Sequence, residues 1–442
     1  MLPKKESGPR VELQLDNVDN CSHSVQAVTE CLRLIEKVRE KYGYKQIQDA
    51  FKELEDRDTK VMIEYLEKVW YAYLLTRGDT DCLDKALRSP NLRGDKAKLL
   101  YLLCKLVART GYFPRSYNLS GVKPGRELVG EGEYAHVRKG KWKGEVVCLK
   151  LRRPPNRRRP PPKEETEKAD MVLIKEFVMW AHFSHPNVLP LYGTILIDAK
   201  PVSVSPWMMN GNVSDYISDH PDRPRLPLVL DILHGLAYLH GMNVVHGDLK
   251  GPDVLVSMDG RALLTDFGLS KAITATLAGF TTGGDPFSGR WTAPELMKEV
   301  QDPKNPTRAT EKGDIWSVAC VAYEVLSSQV PYFQYNVVAA FATAILRGER
   351  PQRPTGKGDF PIDDAVWSLL EKCWNLDPNA RPECHRVLER FKPLCPEYSP
   401  APRDKEMRVA KELRERASAD IDLKRVKAIL SSALEPTAAR GT

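Results

Sequence analysis

The residues that could do chemistry crowd into two turns. One is Val245-His246-Gly247-Asp248-Leu249-Lys250-Gly251-Pro252-Asp253-Val254-Leu255-Val256. Apolar runs enter and leave it, with Asp248, Lys250 and Asp253 between them. The other is Leu264-Thr265-Asp266-Phe267-Gly268. Two loops joined by a strand pair, each with a fixed acid, suit phosphoryl transfer from a metal nucleotide. One acid takes a hydroxyl proton and the other holds the metal. Such chemistry works by positioning and charge, so the elements that hold the acids matter as much as the acids.

Upstream lies a candidate for handling phosphate. Leu128 to Val137 reads as strand, glycine-rich turn, strand, with Gly130 and Gly132 in the turn. Glycines let backbone amides approach phosphates because no side chain intervenes. A plain hairpin accounts for the same residues. Val146-Val147-Cys148-Leu149-Lys150 then alternates as a strand that ends in lysine. A strand-end lysine is ordinarily just solvated, but the place of Lys150 soon after the turn favours a working role.

Composition sets the class. The 442 residues suggest two to three domains, and 42% hydrophobic with 28% charged residues fits an ordinary soluble chain. The net charge of +7 is partly local, from arginines clustered among prolines at 152–162, so no nucleic-acid footprint is expected. Nine cysteines are spread singly without a Cys-x-x-Cys pair, which reads as buried free thiols rather than a zinc site. The start has no apolar core for a signal peptide, and no run of about 18 uncharged apolar residues exists to span a membrane. A cytoplasmic location is expected.

The elements follow from periodicity. Residues 1–20 are polar and read as a flexible N-terminus. Val25, Val28, Leu32 and Ile35 share a helical face; so do Met62, Leu66, Val69 and Tyr73, and then Leu99, Leu103 and Leu106 behind an Asp95 cap. Residues 21–112 therefore read as a small all-α bundle: either a packed domain or a module that binds a protein partner. The Arg/Pro stretch 152–162 reads as an exposed insertion, either a solvated loop or a docking site. A helix is expected over about 163–183, and another from Pro227 to His240 delivers the first turn. A strongly apolar helix begins near Gly313. Residues 396–442 form a charged tail with a thin stripe of Val409, Leu413, Val426, Ile429 and Leu430, which favours a solvated or frayed helix over a coiled-coil partner helix.

Taken in order, Lys150, Glu176, Asp248, Lys250, Asp266 and Glu295 resemble the eukaryotic-type protein kinases over about residues 121–395. Lys250, together with Trp291-Thr292-Ala293-Pro294-Glu295 and Cys373-Trp374, is similar to the tyrosine-kinase-like group. The resemblance implies an α+β, two-lobed protein kinase fold, with a small β-rich lobe and a large helical lobe, preceded by the all-α domain. It implies ATP and Mg²⁺ as cofactors and a protein substrate phosphorylated on Ser or Thr. Asp248 would accept the hydroxyl proton, Lys250 would neutralise the transferring phosphoryl, and Glu176 would orient Lys150 on the phosphates. Gly130 and Gly132 would cover the nucleotide, while Val137, Cys148 and Leu255 would sandwich the adenine. Ser205 would back the adenine pocket, its small side chain leaving that pocket open, and Pro206 and Met208 would supply backbone bonds. Asp266 and Asp253 would hold metal, and Arg381 would pair with Glu295. His246 reads as a packed histidine, not a base.

Ala135 stands mildly apart from the family pattern, in place of its third glycine, and two further departures matter. Gly247 replaces the arginine that grips a phosphorylated activation segment, so activity independent of that switch is expected, Thr281 and Thr282 included. Asp253 replaces an asparagine. A carboxylate can ligate metal, but it cannot donate a hydrogen bond unless protonated, and it adds a like charge beside Asp248 and Asp266. An ATP-binding pseudokinase, or a scaffold acting through the helical domain, is the alternative to an active enzyme.

Overall fold

The structure, a computed structural model, describes residues 51–75, 102–107, 109–131, 135–152, 176–198, 200–242, 244–266, 286–297, 309–354, 362–401, 409–410 and 422–432. The first expected helix, the Asp95 cap, Gly132, the Arg/Pro insertion, Phe267, Thr281 and Thr282 lie outside the described residues. The chain divides into two compact units: residues 1–114 with 418–442, and residues 115–417.

In the first unit, helix α1 spans Asp56–Leu75. Met62 and Leu66 of its stripe are buried, and so are Ile63 and Tyr65, so the covered face is wider than the stripe. Helical turns at 102–107 bury Leu103 and Leu106. Arg109 then caps a neighbouring turn, donating to the Phe51 carbonyl at 2.6 Å and to Thr59 Oγ1 at 2.6 Å.

The second unit opens with a five-stranded antiparallel sheet. Its strands are β1 (Lys123–Glu131), β2 (Ala135–Trp142), β3 (Glu145–Arg152), β4 (Gly193–Ile197) and β5 (Lys200–Pro206), in the order β1-β2-β3-β5-β4. Period-two alternation decides which residues meet. On β3 and β5, Val147, Leu149, Val202 and Val204 pack on one face with Trp142 and Tyr192. The other face carries Cys148 opposite Ser205 and Lys150 opposite Ser203. A helical turn at 176–180 carries Glu176, within the span expected to be helical.

The large lobe is helical: α2 (Val213–Asp219), α3 (Leu226–Gly241), α4 (Pro294–Met297), α5 (Glu311–Ser327), α6 (Val338–Leu346), α7 (Asp364–Cys373) and α8 (Cys384–Phe391). Local chemistry sets the starts. Asn212 caps α2 by accepting from the Asp215 amide, and Thr310 caps α5 by accepting from the Gly313 amide at 3.0 Å. α5 is buried along almost its whole length, which explains its mostly apolar sequence. A hairpin of β6 (Val254–Val256) and β7 (Ala262–Leu264) lies against α3, with Val254 opposite Leu264. Its two ends carry the two acid-bearing turns.

The tail departs from expectation. Helix α9 (Leu423–Ser432) is not a solvated or frayed helix: Val426, Ile429 and Leu430 are buried. It packs on α1 in the first unit, and Arg425 grips both oxygens of Asp58 at 2.7 Å. Three residues at i, i+3 and i+4 suffice because one narrow face is covered. Val409 and Ala410, also from the tail, join the small lobe's apolar cluster. The second unit therefore reaches beyond the 121–395 span at both ends. Tyr117 belongs to it too, its hydroxyl 3.0 Å from His182 Nε2.

Candidate active site

Three charged groups meet beneath the sheet. Lys150 lies on the inner face of β3, its Nζ 2.7 Å from Asp266 Oδ1 and 3.3 Å from Glu176 Oε1. Burial alone would lower the lysine's pKa, but the two carboxylates outweigh it and raise the pKa, so the ammonium persists. Burial also lifts Glu176, and Lys150 only partly offsets this. At Asp266 burial pulls upward, but Lys150 beside it wins and holds the carboxyl below its ordinary range. The lysine thus serves Asp266 more closely than Glu176. Asp266 adopts a left-handed backbone, φ 54°, a conformation short polar side chains tolerate.

Asp314, at the start of α5, builds the first turn. Its Oδ2 accepts from the His246 amide at 2.8 Å and lies 2.9 Å from His240 Nε2; its Oδ1 accepts from the Gly247 amide at 2.8 Å. Gly247 has φ 79°, where a side chain would be strained. His246 is fully buried, its Nε2 3.0 Å from the Thr265 carbonyl, and burial lowers its pKa, so the ring is neutral and packed. Beyond it, Lys250 Nζ stands 3.1 Å from Asp248 Oδ2, both side chains about a fifth exposed. An acid and a cation are thereby presented side by side at the surface of the cleft.

Asp253 is tied by its backbone, its amide donating to the Lys250 carbonyl and its carbonyl accepting from the Thr265 amide. The side chain is 6% exposed and Oδ2 has no hydrogen-bond partner. Burial pushes its pKa well above the carboxylate range; Lys250 opposes this, while Asp266 and Asp248 add to it. Burial and the two neighbouring acids thus work against the extra like charge expected at 253. A neutral carboxyl at this place could donate, as an amide would.

The adenine-side residues fall on three strands and the segment after β5. Val137 on β2 pairs with Lys150, and Cys148 on β3 pairs with Ser205 on β5. Burial pushes the Cys148 thiol up to about 11, with Ser205 hydrogen-bonded to it. Ser205 is 2% exposed, Pro206 is buried and Met208 is half-buried. Leu255 on β6 bridges to Asn212, which brings it beside the segment that follows β5. Gly130 on β1 lies opposite Val137; a Cβ there would make only ordinary contact at 3.8 Å, so space does not demand glycine.

Arg381 and Glu295 form a two-pronged pair at 2.7 Å, the arginine side chain fully buried. Two further acids were not singled out by sequence: Asp314 and Glu324, both buried on α5. Their signal is an ionisable residue inside an otherwise apolar helix.

The residues present fit a metal nucleotide. Mg²⁺ takes one or two carboxylates and fills its remaining positions with phosphate and water oxygens. Asp266, partly exposed, and Asp253, with an unpartnered buried oxygen, supply two carboxyls on adjacent turns. When bound, the nucleotide supplies the phosphoryl group and the metal offsets its charge. Lys150 would hold phosphate, Asp248 would receive a hydroxyl proton, and Lys250 would steady charge next to it.

Residues 125–391 match the family described as protein tyrosine and serine/threonine kinase. Relatives include the tyrosine-protein kinase csk-1 of Caenorhabditis elegans, 28% identical over 60% of this chain and 46% of that protein. Mitogen-activated protein kinase kinase kinase 5 of Arabidopsis thaliana is 31% identical over 60% of this chain and 36% of that protein. The serine/threonine-protein kinase CTR1 of the same plant is 25% identical over 63% of this chain and 32% of that protein. The match thus spans less than half the length of each of these relatives. With the matched segment covering most of the chain and the acids and lysines gathered as described, the chain belongs to the protein tyrosine and serine/threonine kinase family.

Proposed function

We propose that this chain is an ATP-dependent protein kinase that transfers the γ-phosphoryl group to Ser or Thr hydroxyls of protein substrates. The observation that carries this reading is the Asp248–Lys250 pair, 3.1 Å apart, two residues from each other on a loop fixed by Asp314. Asp248 would take the hydroxyl proton while Lys250, beside it, would meet the charge on the phosphoryl. The resemblance of Lys250 to the serine/threonine type supports an aliphatic hydroxyl as acceptor. Lys150, held between Glu176 and Asp266, orients the phosphates, and Asp266 and Asp253 take Mg²⁺. The described cysteines are free and mostly buried, which supports a reducing, cytoplasmic setting.

A second reading, a nucleotide-binding pseudokinase, draws on Asp253. A buried acid that holds its proton must lose it to ligate metal, which weakens metal binding relative to an asparagine oxygen. One experiment separates the two. Purified chain is incubated with labelled ATP, Mg²⁺ or Mn²⁺, and a generic protein substrate. Transfer to Ser/Thr, lost by at least a hundredfold in Lys150→Met, is the expected result. No transfer by the parent, with transfer appearing in Asp253→Asn, would sink the active reading in favour of the pseudokinase.

A further inference from the structure

Asp231 sits in α3 with 0% exposure. Stability alone does not call for a charge there, since an apolar side chain of similar volume would usually serve as well or better. Several donors nevertheless meet on its carboxylate. Arg261 Nε donates to Oδ2 at 2.8 Å and Arg261 Nη2 donates to Oδ1. The Ala262 amide donates to Oδ2 at 3.1 Å, and the Tyr398 hydroxyl donates to Oδ1 at 2.8 Å. Arg261 and Ala262 close the turn of the β6–β7 hairpin, whereas Tyr398 belongs to the tail beyond α8. The Tyr398 ring stacks on His234 of α3 at 5.7 Å, with the Arg261 guanidinium 5.3 Å from its centroid. Arg261 Nη1 also donates to the Ser399 carbonyl at 3.0 Å. The tail is thus fastened to the large lobe. Further along the same chain it meets the small lobe. Ala410 is 3% exposed in the cluster of Trp142, Val147, Leu149, Tyr192, Val202 and Val204, and Val409 packs against that cluster.

We propose that the tail is a strap between the two lobes, anchored at Tyr398 and at Ala410, which restrains their relative movement and slows the release of nucleotide from the cleft. The proposal rests on the nucleotide-binding part of the reading above. Both anchors lie in the second unit, and both lie beyond residue 391, where the match to the kinase family ends. Neither touches the charged site. Ala410 packs on the sheet face opposite to the one that carries Cys148 and Lys150. Arg261 closes the turn end of the hairpin, while Asp253 and Asp266 flank its open end. The lower anchor bears instead on the segment that joins the lobes. Asn210 Nδ2 donates to the Ser257 carbonyl at 2.6 Å, and the Val256 amide donates to the Gly211 carbonyl at 2.9 Å. Ser257 Oγ in turn accepts from the Arg261 amide at 3.1 Å. When the lobes turn about this joining segment, the separation of the anchors changes, and the chain between them limits the swing.

Each anchor is slight by itself: one buried hydroxyl bond with a stacked ring below, and two small apolar side chains above. A short connection makes each more than it would be alone, because a seated anchor keeps the other at high local concentration near its seat. A strap and a pair of local supports then differ in what they predict. If each anchor only shores up the lobe it touches, removing both multiplies the two effects, since the contacts share no partner. If the anchors act as one strap, losing either end frees both lobes and losing the second adds nothing. Severing the connection while every contact stays in place does nothing in the first case and has the full effect in the second.

The test uses the full chain with a protease recognition sequence of equal length in place of residues 402–408. Release of N-methylanthraniloyl-ADP in the presence of Mg²⁺, chased with excess ATP, is followed by stopped-flow fluorescence before and after cleavage. Cleavage is expected to speed release about threefold to tenfold. An unchanged rate overturns the proposal. In the uncut parent, Tyr398→Ala and Ala410→Glu should each accelerate release to a similar extent, and the double variant should release no faster than the faster single one. Accelerations that multiply in the double variant also overturn it, in favour of two local supports. A second readout needs no nucleotide. Spin labels on p-acetylphenylalanine in place of Lys141 on β2 and Lys372 on α7, both exposed, report the distance between the lobes by double electron–electron resonance. Cleavage should broaden that distance distribution. If the chain binds no nucleotide, the functional reading fails on its own account. The interlobe distance still decides the strap: a distribution broadened by cleavage supports it, and an unchanged one overturns it.

Discussion

Burial strips water from the Asp253 carboxyl and raises its pKa; Lys250 only partly compensates, while Asp266 and Asp248 add like charge. Its folded pKa is raised, so the stability it contributes is full below the unfolded value near 3.8 and is lost as pH rises through the folded value. Asp253→Asn removes that loss. Without divalent ions, the Asn variant is expected to melt above the parent at pH 8, with the gap closing toward pH 4. Thermal melts at pH 4, 6 and 8 check this; equal melting temperatures at pH 8 would mean that the acid ionises there without strain. Position 253 announces itself in the sequence as an acid where an amide is usual. Its proton does not, because only the fold brings Asp248 and Asp266 around it and takes the water away. Gly247 is easier to read. The lost side chain is visible in the sequence, and its left-handed backbone adds that an arginine there would bear a strain of about 1–2 kcal/mol.

Arg381 works at the scale of elements. It ties the start of α4, through Glu295, to the start of α5, through the Lys312 carbonyl, and to the Asn375 carbonyl beyond α7. Its guanidinium is fully buried, so Arg381→Ala leaves the Glu295 carboxylate without its partner in a dry setting. A loss on the order of 3–5 kcal/mol is expected in urea unfolding. Removing both partners should cost less than the sum of the two single changes, since no uncompensated charge then remains. The pair followed from the family resemblance, and α1, α3 and α5 could be read from periodicity. The apolar periodicity of α1 and α3 and the all-round apolar run of α5 placed them within a few residues, because each buries a long face. The helix of α9 was legible in the sequence, but its burial was not. Its stripe is only three residues wide, and the residue that Arg425 grips lies 367 positions earlier. The set of donors around Glu324 was hidden for the same reason. Ser214, Gly251 and Trp291 are unremarkable singly and meet only when four elements pack.

At the scale of the molecule, the helical unit is discontinuous, made of residues 1–114 and 418–442. Removing residues 418–442 uncovers the face against which Val426, Ile429 and Leu430 are buried, each burial worth roughly 1.5–3 kcal/mol. Hydrogen exchange is expected to rise across α1 in the truncated chain, while α5 keeps the protection of the parent. Unchanged exchange in α1 would show that α9 adds nothing to it. The discontinuity also has a consequence in time. Asp58 leaves the ribosome 367 residues before Arg425. At roughly 5–20 residues per second, α1 waits roughly 20–70 s for its partner helix. The whole kinase unit is synthesised during that interval and can fold within it. Birth order thus gives the two units an assembly schedule, in which the helical unit closes last.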